Sequence, residues 1–183
     1  MKSSDTTILI VPGWNDSDAD HWQSRWESRL SAAQRVEQAD FSRPDRTAWT
    51  QALSAAVAAA EKPVVVVAHS LGVLTLAHAA PGLPAGKVAG AFLVAPPDLE
   101  GAARDPLFAS FAPVPRAPLP FPAVVVASRN DPYCAYSQAG ELAATWGAEL
   151  VDAGEAGHIN AAAGFGPWPE GSMRFLGFLR GLG

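Results

Sequence analysis

Short apolar runs alternate with amphipathic stretches along most of the chain. Four of these runs, rich in Val, Ile, Leu and Phe, are predicted to be strands: residues 7–11, 64–68, 88–94 and 123–127. Their nearly continuous hydrophobicity is typical of strands that are buried on both faces of a parallel sheet. Weaker patterns predict two more strands, at residues 35–38 and 149–151.

Helical periodicity fills the intervals between these strands, at residues 19–33, 46–61, 70–80, 136–146 and 172–182. A repeated order of strand then helix predicts an α/β fold, with a compact, doubly wound, mostly parallel sheet and helices on both faces. Residues 96–122 hold eight prolines, which favours an irregular loop that is too short for a large lid domain. Because the chain has no repeat and no linker, residues 1–183 are predicted to form one domain.

Composition narrows the class of protein. A chain of 183 residues, 49% hydrophobic and 17% charged, is typical of one globular domain with a sizeable core. A net charge of −5 without long charge runs disfavours nucleic-acid binding. One cysteine excludes an internal disulfide framework, and neither a signal peptide nor an apolar run of ~18 residues is present. We therefore expect a cytoplasmic protein without nucleic-acid or membrane partners, and the sequence indicates no particular protein partner.

The strand at residues 64–68 leads directly into Ala68-His69-Ser70-Leu71-Gly72, and a helix is predicted to follow. This order is that of a nucleophile elbow, in which a sharp turn holds the serine at the positive end of a helix. Ala68 stands where the usual motif has its first glycine. The pentapeptide alone is also compatible with Ser70 as a helix cap, so a catalytic interpretation requires a base, an acid and an oxyanion hole.

Residues that directly follow strands are the candidates for those roles, because ligands of open α/β sheets bind beyond the carboxyl ends of the strands. Of the four histidines, only His158 combines a loop after the last strand with the chain order Ser, Asp, His. Asp131, in Asn130-Asp131-Pro132 after the strand at 123–127, is the predicted acid. Asp98, which follows the preceding strand, is its rival.

These residue types predict acyl transfer. His158 would take the proton of Ser70 as general base, and Asp131 would hold the imidazole tautomer and stabilise the imidazolium. Ser70 would then form an acyl-enzyme that water hydrolyses.

An oxyanion hole would need two backbone N–H groups. One is predicted at Leu71, directly after the nucleophile, and the other in the loop after the first strand, where Trp14 is preferred over Asn15. The aromatic side chains of Trp14, Phe165 and Trp168 are candidates for the walls of a substrate pocket, and packing within the core is the alternative for each.

We expect no metal and no cofactor. Four acidic residues match ligand positions of a calcium loop: Asp16, Asp18, Asp20 and Glu27. However, His21 stands where that loop requires glycine, and a strand rather than a helix precedes it. The sequence also lacks a glycine-rich phosphate loop, so nothing indicates nucleotide binding.

Five motifs spread over nearly the whole chain add specificity to the elbow. They are Val11-Pro12-Gly13-Trp14, His21-Trp22-Gln23 with Trp26-Glu27, Ala68-His69-Ser70-Leu71-Gly72, Ser128-Arg129-Asn130-Asp131-Pro132, and Gly157-His158-Ile159-Asn160 with Gly164-Phe165-Gly166-Pro167-Trp168. Together they resemble the compact, lidless serine hydrolases of the retinoblastoma-binding-protein 9 type, within the α/β-hydrolase superfamily. The resemblance implies a minimal α/β-hydrolase fold, Ser70, Asp131 and His158 as the triad, and acceptance of alanine at position 68.

The resemblance also implies an activity. Members look like esterases or amidases, so small carboxylic esters, thioesters or amides are the expected substrates. Two alternatives stay open: a non-catalytic binding or scaffolding module on the same fold, and an acyltransferase in which another acceptor replaces water.

Overall fold

The computed structural model describes residues 1–100 and 105–182, and one six-stranded sheet lies at its centre. The strands are β1 (Thr7–Val11), β2 (Ala33–Arg35), β3 (Val64–His69), β4 (Val88–Val94), β5 (Ala123–Ala127) and β6 (Glu149–Asp152). They lie in the order β2-β1-β3-β4-β5-β6, and every neighbouring pair is parallel. All strands therefore end at the same edge of the sheet.

In the described part of the chain, five α-helices cover the two faces of the sheet: α1 (Trp22–Arg29), α2 (Arg46–Ala59), α3 (Leu71–Ala79), α4 (Tyr136–Trp146) and α5 (Pro169–Gly181). Helices α2, α3 and α4 pack with one set of strand side chains, which includes Leu9 and Val66. Helices α1 and α5 pack with the alternate set, which includes Ile8 and Val65. The predicted doubly wound α/β fold is confirmed. None of the helices in the described ranges is long and apolar enough to span a membrane.

Several element boundaries differ from the predicted ones. Helix α1 begins at Trp22 rather than at residue 19, because the side chain of His21 caps it by accepting a hydrogen bond from the N–H of Gln23. Strand β2 covers 33–35 instead of 35–38, since Ala33 already pairs with Ile8 of β1. Helix α5 begins three residues early, at Pro169, because proline suits the first helical position.

Helix α3 approaches the end of β1 very closely, and Gly72 makes this approach possible. A Cβ atom at position 72 would lie 2.3 Å from the carbonyl oxygen of Val11 and 2.6 Å from that of Pro12. Both neighbours are backbone atoms, which cannot rotate away. The missing side chain at Gly72 therefore sets the distance between the helix that follows Ser70 and the loop that follows β1.

We predict that Gly72→Ala lowers the free energy of unfolding by about 3 kcal/mol, because the added methyl group overpacks a rigid backbone contact. Gly177→Ala is the matched control, since an added Cβ on this exposed turn of α5 meets nothing within 4 Å. That variant should be slightly more stable than the wild type. Urea unfolding measures both effects, and equal stability of the two variants would contradict the close approach.

Candidate active site

Ser70 occupies the sharp turn between β3 and α3. Its backbone has φ +52° and ψ −123°, a conformation that costs a non-glycine residue free energy and is found mainly at functional sites. The N–H of Ser70 donates a hydrogen bond to the carbonyl of Val94, at the end of β4, over 3.0 Å. The turn therefore fixes Ser70 at the carboxyl edge of the sheet, in front of the first turn of α3.

The imidazole of His158 lies between Ser70 and Asp131. Its Nδ1–H donates to both carboxylate oxygens of Asp131, at 2.9 and 3.0 Å, and its Nε2 lies 2.9 Å from the Oγ of Ser70. Since the carboxylate requires a proton on Nδ1, Nε2 is left as the acceptor of the serine proton. The side chains of Asp131 and His158 are only 3% and 8% exposed. The arrangement has the geometry that general-base activation of a hydroxyl needs.

Side chains of the loop after β5 hold the loop that carries His158. The Oγ of Ser128 accepts a hydrogen bond from the N–H of Ala156 at 2.9 Å, and the Oδ1 of Asn130 accepts one from the N–H of Gly157 at 2.7 Å. The sequence analysis assigned no role to Ser128 or Asn130, although both belong to the motif around Asp131. These contacts fix the separation between the loop after β5, which carries Asp131, and the histidine loop, the loop after β6 that carries His158.

Asp98, the rival acid, has other partners. Its carboxylate accepts a hydrogen bond from the N–H of Glu100 at 2.8 Å, and its own N–H donates to the carbonyl of Tyr133 at 2.9 Å. It lines the cavity next to Ser70, but the carboxylate hydrogen-bonded to His158 is that of Asp131.

The loop after β1 packs directly against the elbow. A Cβ atom at Gly13 would lie 2.9 Å from the Cβ of Ser70 and 3.3 Å from the backbone nitrogen of Leu71. The N–H of Asn15 already donates to the carbonyl of Phe41 at 2.9 Å, whereas no described residue accepts a hydrogen bond from the N–H of Trp14. The N–H of Leu71 begins α3, where helical N–H groups have no partner within the helix.

Gln23 is a buried polar residue that the sequence analysis did not single out for a role. It is completely buried, and its amide nitrogen donates to the carbonyls of Val11 and Val67, near the ends of β1 and β3. Its amide oxygen accepts a hydrogen bond from Ser17 at 2.7 Å. Gln23 thus ties α1 to the strand ends beside the site. The available signal was its place in α1, directly after Trp22 and three residues before Trp26, on the face of the helix that is buried.

A cavity of about 500 Å³ opens at Ser70 and His158. Three aromatic side chains contribute to its walls: Trp14, Phe108 and Tyr133. Trp14 is 45% exposed and meets Phe108 edge-on, with 5.5 Å between the ring centroids. The ring of Tyr133 stands 4.6 Å from that of His158. The cavity surface is mostly apolar, but four carboxylates also line it, those of Asp16, Asp18, Asp98 and Asp105. A mainly apolar cavity with several polar groups suits a small organic substrate.

Phe165 and Trp168 lie away from this cavity, in contrast to the expectation that they line a pocket. Trp168 is 5% exposed and its ring packs 5.0 Å from Trp22 and 5.9 Å from Trp26. The backbone of Trp168 has φ +37° directly before α5, and its indole covers Gly171, where any Cβ would collide with the ring. Phe165 contacts Trp168 rather than the described cavity walls. Both residues therefore belong to the core between α1, α5 and the sheet.

Two further histidines lie beside His158. The ring centroids of His69 and His158 are 4.9 Å apart, and His21 lies 4.9 Å beyond His69. Burial is the main cause that lowers the pKa of His21 to about 4. The charge of Asp18 opposes this shift, and the charge of Arg35 reinforces it. Burial, together with the neighbouring His21 and His158, also holds the pKa of His69 well below its ordinary value. Both rings are therefore neutral at pH 7.

Three of the four acidic residues that match a calcium loop pair with arginines, and the fourth, Asp18, accepts hydrogen bonds from the N–H groups of Asp20 and His21. Asp20 forms an ion pair with Arg25, while Asp16 and Glu27 both contact the guanidinium of Arg35. Within residues 1–100 and 105–182, no group of three or more His, Cys, Asp or Glu side chains could hold a metal ion.

Cys134 is the other conventional nucleophile near Asp131. It is buried, and burial together with the charges of Asp131 and Asp98 raises the pKa of its thiol to about 12. Because the thiolate is the reactive form, Cys134 is inert at neutral pH.

A six-stranded parallel sheet, helices on both faces and a serine elbow at the carboxyl edge together define an α/β hydrolase. The chain belongs to the serine hydrolase family, whose model matches residues 8–176. No match was found among curated proteins.

Solved structures share this fold. The chain is 38% identical to a candidate YdeN-like hydrolase from Pectobacterium atrosepticum, over 98% of this chain and 94% of the other, with a TM-score of 0.87. It is 21% identical to the ydeN gene product of B. subtilis, over 96% and 99% of the two chains, with a TM-score of 0.78. It also matches esterase 2 of Thermogutta terrifontis at 19% identity, over 100% and 86%, with a TM-score of 0.71.

The low pKa of His21 predicts a loss of stability in acid. The unfolded chain binds the proton near pH 6.5 and the folded protein only near pH 4, so the contribution of neutral His21 is complete above pH 6.5 and is lost as the pH falls. The gap corresponds to roughly 3 kcal/mol. His21→Asn keeps a capping oxygen without a titrating ring, so its free energy of unfolding should decline less steeply between these pH values. Parallel curves for variant and wild type would contradict the assignment.

Proposed function

We propose that the chain is a serine hydrolase that cleaves small carboxylic esters, with thioesters or amides as variants, through an acyl-enzyme on Ser70. The observation that carries the proposal is the position of the His158 imidazole, within 2.9 Å of both the Ser70 hydroxyl and the Asp131 carboxylate. A hydroxyl, an imidazole and a carboxylate in this sequence of contacts form a catalytic triad by geometry and role.

In the proposed mechanism, the Oγ of Ser70 attacks the carbonyl carbon of the ester while its proton passes to the Nε2 of His158. Asp131 stabilises the resulting imidazolium through its bond to Nδ1–H. The tetrahedral intermediate collapses, the alcohol leaves with the proton from His158, and the acyl group stays on Ser70. A water molecule then attacks the carbonyl carbon of the acyl-enzyme while His158 takes a proton from it. The carboxylic acid product leaves as His158 returns this proton to the Oγ of Ser70.

We assign the oxyanion hole to the backbone N–H groups of Leu71 and Trp14. The N–H of Trp14 has no acceptor within residues 1–100 and 105–182, whereas that of Asn15 is engaged, which favours Trp14 as the second donor. The close contact of Gly13 with Ser70 and Leu71 supports a common site for both donors, since a side chain there would separate the two loops.

The substrate class follows from the cavity and its apolar walls, with support from the esterase neighbour. A structure of esterase 2 from Thermogutta terrifontis, 18% identical to this chain, has butyrate bound. A cavity of about 500 Å³ is large enough for a small ester with both of its groups.

We further propose the retinoblastoma-binding-protein 9 type within the superfamily, with residues 1–183 as one domain. The histidine loop Gly157-His158-Ile159-Asn160 and the buried His21-Trp22-Gln23 segment support this assignment.

A fluorophosphonate probe and p-nitrophenyl acetate test the nucleophile. The wild type should label at one serine and hydrolyse the ester, whereas Ser70→Ala should not label and should lose roughly 10⁴-fold or more of kcat. Labelling is read by mass spectrometry of the intact protein and of its peptides. A wild type that neither labels nor hydrolyses any ester would leave the fold as a binding module and refute the proposal.

Exchange of each candidate acid for its amide tests Asp131 against Asp98. Asp131→Asn should lower kcat by about 10³ to 10⁴, because an amide favours the wrong tautomer of His158. Asp98→Asn is the matched control, since Asp98 lines the cavity at Ser70 while its carboxylate accepts a hydrogen bond from the N–H of Glu100, and it should keep most of the wild-type kcat. A larger loss in Asp98→Asn would reverse the assignment of the acid.

A further inference from the structure

The loop that carries His158 has a strained backbone. Gly157 and Ile159, on either side of the histidine, have φ +54° and φ +48°. A positive φ is rare for a β-branched residue such as Ile159, and it persists only where the surroundings determine the conformation. Glycine adopts a positive φ without strain, so it is at Ile159, directly after His158, that contacts from other elements must hold the backbone.

Two ring N–H groups supply such contacts to successive carbonyls of this loop. The Nε2–H of His69 donates to the carbonyl of His158, and the indole N–H of Trp22 donates to the carbonyl of Ile159, each over 2.9 Å. Both bonds are buried, where a carbonyl left without a partner would destabilise the folded state. One donor comes from the end of β3 and the other from the start of α1.

The donor on β3 has a particular place in the chain, because His69 directly precedes Ser70. One peptide unit therefore joins the residue that carries the nucleophile to the residue that holds the backbone of His158. The hydrogen bonds of His158 to Ser70 and Asp131 involve its side chain alone. The hydrogen bond of His69 therefore connects the elbow, one residue before Ser70, to the backbone of the loop that carries His158.

The chemistry of this donor also suits its position. His158 becomes cationic in the proposed mechanism, and the ring of His69 lies 4.9 Å from it. A lysine or arginine at this distance would repel the imidazolium, whereas a neutral imidazole donates the same hydrogen bond without adding charge. The burial that keeps the pKa of His69 low maintains this neutral state.

We propose that His69 is a positioning residue for the base, whose Nε2–H holds the His158 carbonyl so that the imidazole stays in reach of Ser70. The inference rests on the proposed function. His69, the second residue of the elbow motif, would thus act through the backbone of His158 and not through contact with the substrate.

Three substitutions at His69 test the role. His69→Phe keeps the ring but removes the donor, and kcat should fall about 100-fold at nearly constant KM, since a displacement of about 1 Å has that effect. His69→Gln can place an amide N–H near the original Nε2 and should recover most of the lost kcat. His69→Asn is too short to do so and should behave like His69→Phe, which provides a second comparison if His69→Phe does not fold.

His78→Phe is the matched control. The Nε2–H of His78 donates to the carbonyl of Phe111 over 2.8 Å, a bond of the same kind, and His78 is not among the described walls of the cavity. This variant should lose thermal stability but keep kcat. The rate of fluorophosphonate labelling is measured in parallel, because it reports activation of Ser70 without a turnover step.

Wild-type kcat in His69→Phe, or an equal loss of kcat in His69→Gln and His69→Asn, would overturn the inference. A loss of kcat in His78→Phe equal to that in His69→Phe would do the same, because it would reduce the effect to general destabilisation. Absence of Ser70 labelling in the wild type itself would instead refute the proposed function.

Discussion

The candidate site depends on holding one imidazole between a hydroxyl and a carboxylate that belong to different strands. Ser70 follows β3 and Asp131 follows β5, while His158 follows β6 at the edge of the sheet. Such separate segments can meet because all six strands are parallel and end at one edge. The distance from Ser70 to Asp131 is therefore set by the spacing of strands, and the histidine loop must span it. The hydrogen bonds from Ser128 and Asn130 to that loop meet this requirement.

Strained backbone is concentrated at the same edge. Among the described residues, those with positive φ that are not glycine include Asn15 after β1, Ser70 after β3, Ala95 after β4 and Ile159 beyond β6. Each such conformation costs on the order of 1–3 kcal/mol. The central strands offset this cost, since every residue of Val64–His69 is buried and a buried valine contributes about 1.5–3 kcal/mol. Stable strands thus support irregular loops, which is the usual division between scaffold and site.

The sequence alone predicted the fold because buried parallel strands are nearly continuous apolar runs. The runs at 7–11, 88–94 and 123–127 match β1, β4 and β5 to the residue. The short edge strand β2 was misplaced, since three residues, Ala-Gln-Arg, have no hydrophobic pattern. The sequence left Phe165 and Trp168 open between a pocket and the core, because proximity in sequence to His158 does not reveal the direction of a side chain. The backbone of Trp168 is left-handed and its indole is buried in the core. A left-handed backbone at a tryptophan cannot be predicted from the residue type, because it is rare outside glycine and asparagine.

The buried histidine His69 shows that residues of the elbow motif other than Ser70 also make contacts that hold the site together. Strand residues alternate between the two faces, so a residue next to the nucleophile is expected to point away from it. At the end of β3, the side chain that points away from Ser70 reaches the backbone of His158, because the histidine loop passes over the end of the strand. A neutral donor is compatible with this place, and burial beside His21 ensures neutrality. His69, directly before Ser70, is thus constrained by its contact with His158, while Gly72, two residues after Ser70, is constrained by the end of β1. The pentapeptide is thus defined by contacts with segments at both ends of the chain.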